Sequence, residues 1–167
     1  MLVARDDATC DIVGVMWMQK LGSTPYYFIP YYAIDRIYQG HGIGHALFHF
    51  ACEYLRDKGG IEVLLWEIEV PTPDENDSRS KRIHFYKKNG GHIVEHAKNF
   101  TVPDVTDCGE NMLLWLMVAP IGDYELVNDA DHAYQWVDAI LSYDIDYSQC
   151  PDHREKVLQQ MQTKILA

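Results

Sequence analysis

Residues 33–47 read AIDRIYQGHGIGHAL, in which a strand-like apolar stretch passes through closely spaced glycines directly into a helix-like pattern. Glycine allows a tight turn whose N–H groups point outward, and the first turn of the following helix adds a partial positive charge. A strand, turn and helix joined in this way can bind phosphate or pyrophosphate without basic side chains. The segment therefore predicts an anion site at the start of a helix.

Three interpretations of this glycine segment compete. A Walker loop needs Lys and then Ser or Thr after its last glycine, and His45 and Ala46 stand there instead, which excludes it. A dinucleotide fingerprint matches at Gly40 and Gly42 but has His45 at its third glycine position, although Glu62 follows at a suitable spacing and keeps that alternative open. A glycine-rich helix start that binds no ligand is the third interpretation.

A specific resemblance favours an anion site of one kind. Residues 39–44, Gln-Gly-His-Gly-Ile-Gly, resemble the acyl-CoA pyrophosphate loop of the GNAT superfamily of N-acetyltransferases, whose pattern is Arg/Gln-x-x-Gly-x-Gly/Ala. Residues 82–91, RIHFYKKNGG, resemble the second motif of that family, with Tyr86 four residues before Gly90. The order of predicted elements agrees with the family, so the resemblance covers residues 2–119.

Outward from the loop, hydrophobic periodicity predicts an α/β (α+β) domain that is complete near Pro120. The expected helix at 43–56 would bury a face made of Ile43, Ala46, Leu47, Phe50, Ala51 and Tyr54. The predicted elements are a hairpin of 2–4 and 12–19, a strand at 26–37 bent or bulged at Pro30, the helix 43–56, a strand at 61–70, a helix at 81–89, strands at 92–95 and 112–119, and helices at 129–143 and 152–166.

The resemblance implies a mixed, mostly antiparallel sheet flanked by helices, and it also exposes a departure at the ends of the chain. The family normally places a strand and two helices before the hairpin, and this chain begins at the hairpin. We therefore expect residues 1–120 to form the cofactor-binding core. Residues 121–167, a C-terminal helical pair, would replace the missing layer, either on the same chain or by exchange between the protomers of a homodimer.

The resemblance also implies acetyl-CoA as the acyl donor and assigns backbone groups to it. Gln39 and Gly40 would open the pyrophosphate loop. The strand that leads into the loop would separate from the strand 61–70, so that pantetheine could enter between them. One backbone amide of the separated strand would polarise the thioester carbonyl. The backbone amides that would bind the pyrophosphate are those of His41, Gly42, Ile43, Gly44 and His45. The separated strand would carry Ile34, Asp35, Arg36 and Ile37, and backbone groups at 34–36 would form hydrogen bonds with the pantetheine arm.

Three side chains are candidates for the chemistry. Tyr86 matches the general acid of the family, which would protonate the CoA sulfur, although a packed aromatic at a helix end is an alternative. Strand alternation places Glu67 and Glu69 on one face, where their repulsion would raise at least one carboxyl pKa and make one of them, by preference Glu67, a base. They could instead bind an ammonium group, or form a solvated strand end.

Arginines replace two residues that the family usually carries before this tyrosine. Arg79 stands where the family has Asn, and Arg82 stands where it has Ala, so either could reach a CoA phosphate. His41, His45 and His49 recur at four-residue intervals, which is a metal-ligand spacing, but the first two overlap the predicted pyrophosphate loop. We therefore expect no metal site.

The charge balance limits the partners of this chain of 167 residues. It carries 14 basic and 25 acidic side chains, a formal charge of −11, which argues against a nucleic acid partner. Of these, 3 basic and 12 acidic side chains fall in residues 101–167, so this segment is either a solvated face or a surface that attracts cations.

Cysteine usage and the lack of long apolar runs predict the compartment. The four cysteines form no C-x-x-C pair, and neither a signal-peptide pattern nor an apolar run long enough for a membrane span is visible. We therefore expect a cytoplasmic protein without a membrane partner.

Taken with the resemblance, the sequence predicts an enzyme that moves the acetyl group from acetyl-CoA to a primary amine by direct attack. The acidic balance favours a small cationic acceptor, such as a polyamine, an amino sugar or a lysine-like amine, although protein N-termini also fit. A non-catalytic acyl-CoA-sensing or partner-binding module on the same fold is the alternative.

Overall fold

The structure, a computed structural model, describes residues 1–74, 77–103, 111–144 and 150–165. Within these ranges, six strands form one sheet in the order β1-β2-β3-β4-β6-β5, in which β3 and β4 run parallel and the other neighbours antiparallel. This confirms the predicted mixed, mostly antiparallel sheet flanked by helices. The elements are β1 Leu2–Arg5, β2 Ile12–Lys20, β3 Tyr26–Ile34, α1 Ile43–Lys58, β4 Val63–Glu69, α2 Ser78–Lys88, β5 His92–Pro103, β6 Asn111–Pro120, α3 Ala130–Tyr143 and α4 Pro151–Ile165, with a short 3₁₀ helix at Arg36–Tyr38.

Helices cover both faces of the sheet because its central strands are apolar on both sides. Along β4, Leu64, Trp66 and Ile68 pack with α1 and α2, whereas Val63 and Leu65 pack with α3 and α4. The two C-terminal helices bury a shared core against β3–β6, which includes Trp136 with no exposed surface. In the described residues, the acidic tail is therefore a second layer on the sheet of its own chain.

Pro30 ends the pairing between the two parallel strands. The register of β3 and β4 runs from Tyr26 opposite Val63 to Ile29 opposite Trp66, and Pro30 has no N–H to continue it. On the other side of β3, the register with β2 shifts at the same place, which confirms the predicted bulge. Because the shift exchanges the two faces of the strand, Tyr32 and Ile34 join the core on the α1 side.

Several predicted boundaries were wrong for local reasons. Strand β3 ends at Ile34, because the Asp35 carboxylate accepts the N–H of Ile37 at 3.1 Å and caps the 3₁₀ helix, so residues 35–37 are not on a strand. Helix α2 begins at Ser78 rather than at 81, since Asp77 caps it. Strand β5 extends well beyond residue 95, with register shifts that hide the alternation on which the prediction depended.

The predicted buried face of α1 was only partly right. Leu47 and Ala51 are buried as expected, but Phe50 is 54% exposed and Tyr54 is 47% exposed. Apolar residues lie on both sides of this helix, so periodicity alone did not identify the inner one. The side chains that α1 buries are Leu47, Phe48, Ala51 and Leu55.

Candidate functional site

A cleft of about 700 Å³ opens where β3 leaves β4, between the glycine loop and α2. Aromatic rings, loop backbone and basic side chains of α2 share its walls. The lining residues are Tyr32, Ala33, Ile34, Gln39, Gly40, Gly42, Gly44, His45, Ser78, Lys81, Arg82, Phe85 and Tyr86.

The glycine loop turns into α1 through two left-handed residues. Gly40 and Gly42 both have φ of 82°, and open space surrounds the position of a Cβ at each, so conformation rather than crowding requires glycine there. The side-chain amide of Gln39 donates a hydrogen bond to the backbone carbonyl of Ile34 at 2.9 Å and holds the loop to the end of β3. Gly42 caps α1, whose first-turn N–H groups have no acceptor within the helix and can serve an anion.

Tyr32 joins the end of β3 to the first turn of α1. Its hydroxyl donates to the carbonyl of Gly44, and burial raises the pKa of this phenol above its ordinary value. The ring centroid of Tyr32 lies 6.2 Å from that of Phe85 and 6.5 Å from that of Tyr86. These contacts fix the wall of the cleft between the loop and α2.

Tyr86 lies in α2 with its ring buried among other aromatic rings. Its centroid is 4.8 Å from that of Trp66, 5.2 Å from that of Phe85 and 5.9 Å from that of Phe48. Burial raises the pKa of Tyr86 to about 12, against a smaller opposite effect of the nearby Arg82 charge. The side chain therefore keeps its proton at neutral pH and can donate it within the cleft.

One face of α2 supplies lining residues that the sequence analysis missed. A helix that begins at Ser78 presents Ser78, Arg82 and Phe85 on one side at helical spacing. That signal was hidden because the helix was predicted to start at Lys81. The lining residues absent from the predicted site are Tyr32, Ala33, Ser78, Lys81 and Phe85.

The two arginines of α2 have different surroundings. Arg82 lines the cleft and contacts the Glu69 carboxylate at 2.6 Å. Arg79 lies outside the lining, where it donates to the Val70 carbonyl at 3.1 Å and has its Nε 3.4 Å from the same Glu69 oxygen. Of the pair, Arg82 is the one that lines the cleft.

Glu67 and Glu69 lie on the side of β4 opposite to Trp66, and thus face away from the cleft. They alternate with Trp66 and Ile68, which pack on the α1 side. Glu69 forms ion pairs with two arginines, and the expected repulsion between the two carboxylates stays a prediction. Glu67 is half-buried, in the stretch of β4 just beyond its last residue paired with β3.

The backbone groups expected to hold pantetheine are partly in use within the chain. The Asp35 N–H donates to the Val13 carbonyl at 2.9 Å, and the Ile34 carbonyl accepts the Gln39 amide. Ile34 lines the cleft, but six residues of the predicted cofactor site do not. Those six are Asp35, Arg36, Ile37, His41, Ile43 and Arg79, and the ring nitrogen of His41 lies 3.0 Å from the Gln39 carbonyl.

The histidines of the loop and of α1 are engaged with other side chains. His45 bonds to the Asn89 side chain, and His49 Nδ1 lies 3.6 Å from Glu53. Among the residues that the structure describes, no three His, Cys, Asp or Glu side chains are grouped as a metal site would require. Nor does any helix in those ranges have both the length and the apolar character of a membrane span.

Comparison with known proteins identifies the family. The model of the acetyltransferase (GNAT) family matches residues 1–91, which is more than half of the chain. The chain therefore belongs to the GNAT family of acetyltransferases, as the glycine loop and Tyr86 motif predicted. No curated protein matches the sequence.

Solved structures of this family share the fold. A GNAT-family protein from Bacteroides thetaiotaomicron has 20% sequence identity and a TM-score of 0.63, over 87% of this chain and 71% of its own. An IAA acetyltransferase from Bacillus cereus ATCC 14579 has 17% identity and a TM-score of 0.52, over 71% of this chain and 75% of its own. Nourseothricin acetyltransferase has 22% identity and a TM-score of 0.51, over 72% of this chain and 64% of its own.

Proposed function

We propose that this protein transfers the acetyl group of acetyl-CoA to a primary amine of a small cationic acceptor by direct attack. The observation that carries the proposal is the cleft at the opening between β3 and β4. It combines a helix start suited to pyrophosphate, basic side chains on α2 and a protonated tyrosine. These are the groups needed to hold an anionic thioester and to protonate its leaving sulfur.

The anionic part of acetyl-CoA lies, in this proposal, against the amides of residues 41–45. Lys81 and Arg82 line the same cleft and add positive charge for the phosphates, although the whole chain has a formal charge of −11. The pantetheine arm follows Tyr32 and Ile34 on β3, between the separating strands. This arrangement brings the thioester to the opening, near the ring of Tyr86.

The reaction forms a C–N bond and breaks a C–S bond. The neutral amine attacks the thioester carbonyl and forms a tetrahedral intermediate. When this intermediate collapses, the C–S bond breaks, and the departing CoA sulfur accepts the phenol proton of Tyr86. Glu67 accepts the proton that the amine loses, directly or through a water molecule. Tyr86 is suited to its role because its phenol carries a proton at neutral pH, and burial raises its pKa further, to about 12.

The acceptor approaches from the face of the sheet that Glu67 occupies, so donor and acceptor meet from opposite sides. The surplus of acidic side chains supports a cationic acceptor. Several acidic side chains of residues 121–167, however, already have partners within the fold. Asp129 caps α3, Asp138 accepts from Arg154 at 2.7 Å, and Asp144 accepts from Gln19. The proposal therefore depends more on Glu67 than on the tail.

Residues 1–120 act as the acetyl-CoA-binding core in this proposal, and residues 121–167 as a helical extension packed on it. The burial of α3 and α4 against β3–β6 supports an arrangement within one chain, and a homodimer stays a prediction. The described cysteines Cys10, Cys52 and Cys150 are free thiols, which supports the reducing cytoplasm as the compartment.

The test is a panel of primary amines incubated with the protein and acetyl-CoA, with the released thiol of CoA as the readout. We expect release that depends on both the protein and the amine, and none with N-acetylated versions of the same amines. If acetyl-CoA binds but no amine releases CoA, the acyl-CoA-sensing alternative replaces the proposal.

A further inference from the structure

An exposed apolar row lies on the sheet face opposite to α1. Leu2, Ala4, Met16 and Met18 pack with the α1-side core, so the residues that alternate with them face the other way. In the described part of the chain, α3 and α4 cover β3–β6 on that face but leave three large side chains of β1–β3 open. These are Val3, 41% exposed, Trp17, 42% exposed, and Tyr31, 56% exposed.

The row leads to Glu67 across the opening of the sheet. Trp17 and Tyr31 are direct partners in the register of β2 and β3, so their side chains stand together on one face. The last pair between β3 and β4 is Ile29 with Trp66, so Tyr31 and Glu67 flank the opening just beyond it. Since neighbouring strands lie about 4.8 Å apart, the distance across the sheet from Glu67 past Tyr31 to Trp17 is about 10 Å or more.

We propose that Trp17 and Tyr31 form an acceptor subsite that selects an arylalkylamine, which rests on the proposed acetyl transfer. The ammonium group of such an amine pairs with Glu67 before it loses its proton. A linker of a few carbons then places the aromatic ring on Tyr31 and Trp17. A polyamine or an amino sugar has no flat apolar body, so it would leave both rings in contact with water.

The size of the row favours a small ligand over a protein partner. A standard protein interface uses roughly 20 or more residues on each side, whereas this row exposes three large side chains beside one carboxylate. The charge also matches, because Glu67 complements a single ammonium group. A second copy of the chain on this face is an outcome that the experiment below separates.

The kinetic test compares phenethylamine with propylamine and spermidine at saturating acetyl-CoA. We expect the highest kcat/KM for phenethylamine. Tyr31→Leu and Trp17→Leu should each lower that value roughly three- to tenfold by raising the KM for the amine, with the KM for acetyl-CoA unchanged. The matched control is Tyr54→Leu, since Tyr54 is 47% exposed on the outer side of α1, away from this row.

A second readout does not depend on turnover. Trp66 and Trp136 are buried, so iodide quenches chiefly the exposed Trp17 and the partly buried Trp115. Phenethylamine, added with CoA, should reduce quenching in the parent protein and in Tyr54→Leu, but not in Trp17→Leu. Unchanged quenching in the parent protein would overturn the subsite.

Three further outcomes separate this inference from the proposed function. If no amine releases CoA, the proposed function itself fails. If spermidine reacts best, and equally in the parent protein and both row variants, the function stands and the subsite is wrong. If the parent protein sediments as a dimer that Tyr31→Leu dissociates, a second copy covers the row and the subsite is again overturned.

Discussion

Tyr86 shows how packing prepares a single residue for chemistry. Its ring lies among Trp66, Phe48 and Phe85, and the loss of hydration disfavours the tyrosinate more than the Arg82 charge favours it. The motif around residues 82–91 predicted the position of this tyrosine. The direction of its pKa shift could not be predicted, because the rings that bury it come from α1 and β4 as well as α2.

The alkaline titration of the folded protein should reveal this burial. Between the ordinary pKa of 10.0 and about 12, Tyr86 of the unfolded chain loses its proton whereas the folded protein keeps it. The unfolded state then binds fewer protons, so the free energy of unfolding falls as pH rises through that window. Because burial also raises the pKa of Tyr32, tyrosinate absorbance should show late-titrating groups whose number falls by one in Tyr86→Phe. A Tyr86 that ionises with the exposed tyrosines would contradict this.

The two carboxylates of β4 should differ sharply on substitution. Glu67→Gln removes the proposed base and should lower kcat/KM for the amine about a hundredfold or more. Glu69→Gln keeps the base but leaves Arg79 and Arg82 without this ion-pair partner, so its effect should be smaller and fall on the KM for acetyl-CoA. Steady-state kinetics with both substrates varied measures this. A larger loss of amine turnover in Glu69→Gln would reverse the assignment.

At the level of elements, Pro30 explains the opening in the sheet. A residue without an N–H at the end of the β3–β4 pairing allows β4 to stay with β6 while β3 turns toward the glycine loop. The bend at Pro30 was predictable because it depends on one residue. The length of β5 and the start of α2 were not, since bulges and the Asp77 cap depend on neighbours that periodicity does not detect.

The glycine loop offers a matched pair of substitutions. Gly42→Ala places an alanine in the left-handed backbone region at φ of 82°, and Gly60→Ala does the same at φ of 68°. At both positions the added Cβ would meet no atom within 4 Å. Both should lower the free energy of unfolding by about 1–2 kcal/mol in urea titrations. Only Gly42→Ala should also raise the KM for acetyl-CoA, because it distorts the first turn of α1. An equal rise in both variants would argue against pyrophosphate binding at the loop.

Over the ranges that the structure describes, the molecule is a sheet covered by two pairs of helices, and the C-terminal pair is integral to its core. The sequence predicted these helices and their acidic charge, but not the partners of that charge. Asp138 and Arg154 are 16 residues apart, and Gln19 and Asp144 are 125 apart, so only the folded chain brings each pair together. The acidic balance was therefore a weaker indication of the acceptor than it first appeared.

Loss of the C-terminal layer should unfold the protein. A chain that ends at residue 120 exposes the apolar face of β3–β6, and we expect it to be insoluble or to lack a cooperative unfolding transition. Within the full chain, Trp136→Ala should cost about 3–5 kcal/mol in urea unfolding, since Trp136 has no exposed surface. A soluble truncated chain with full activity would contradict the role of this layer.

The most direct test of the proposed reaction is the turnover of Tyr86→Phe, measured with its affinity for acetyl-CoA by calorimetry. Removing the phenol proton should lower kcat by about a hundredfold or more while the dissociation constant of acetyl-CoA stays unchanged. Undiminished turnover in this variant would contradict the role of Tyr86 as the acid that releases CoA from the cleft.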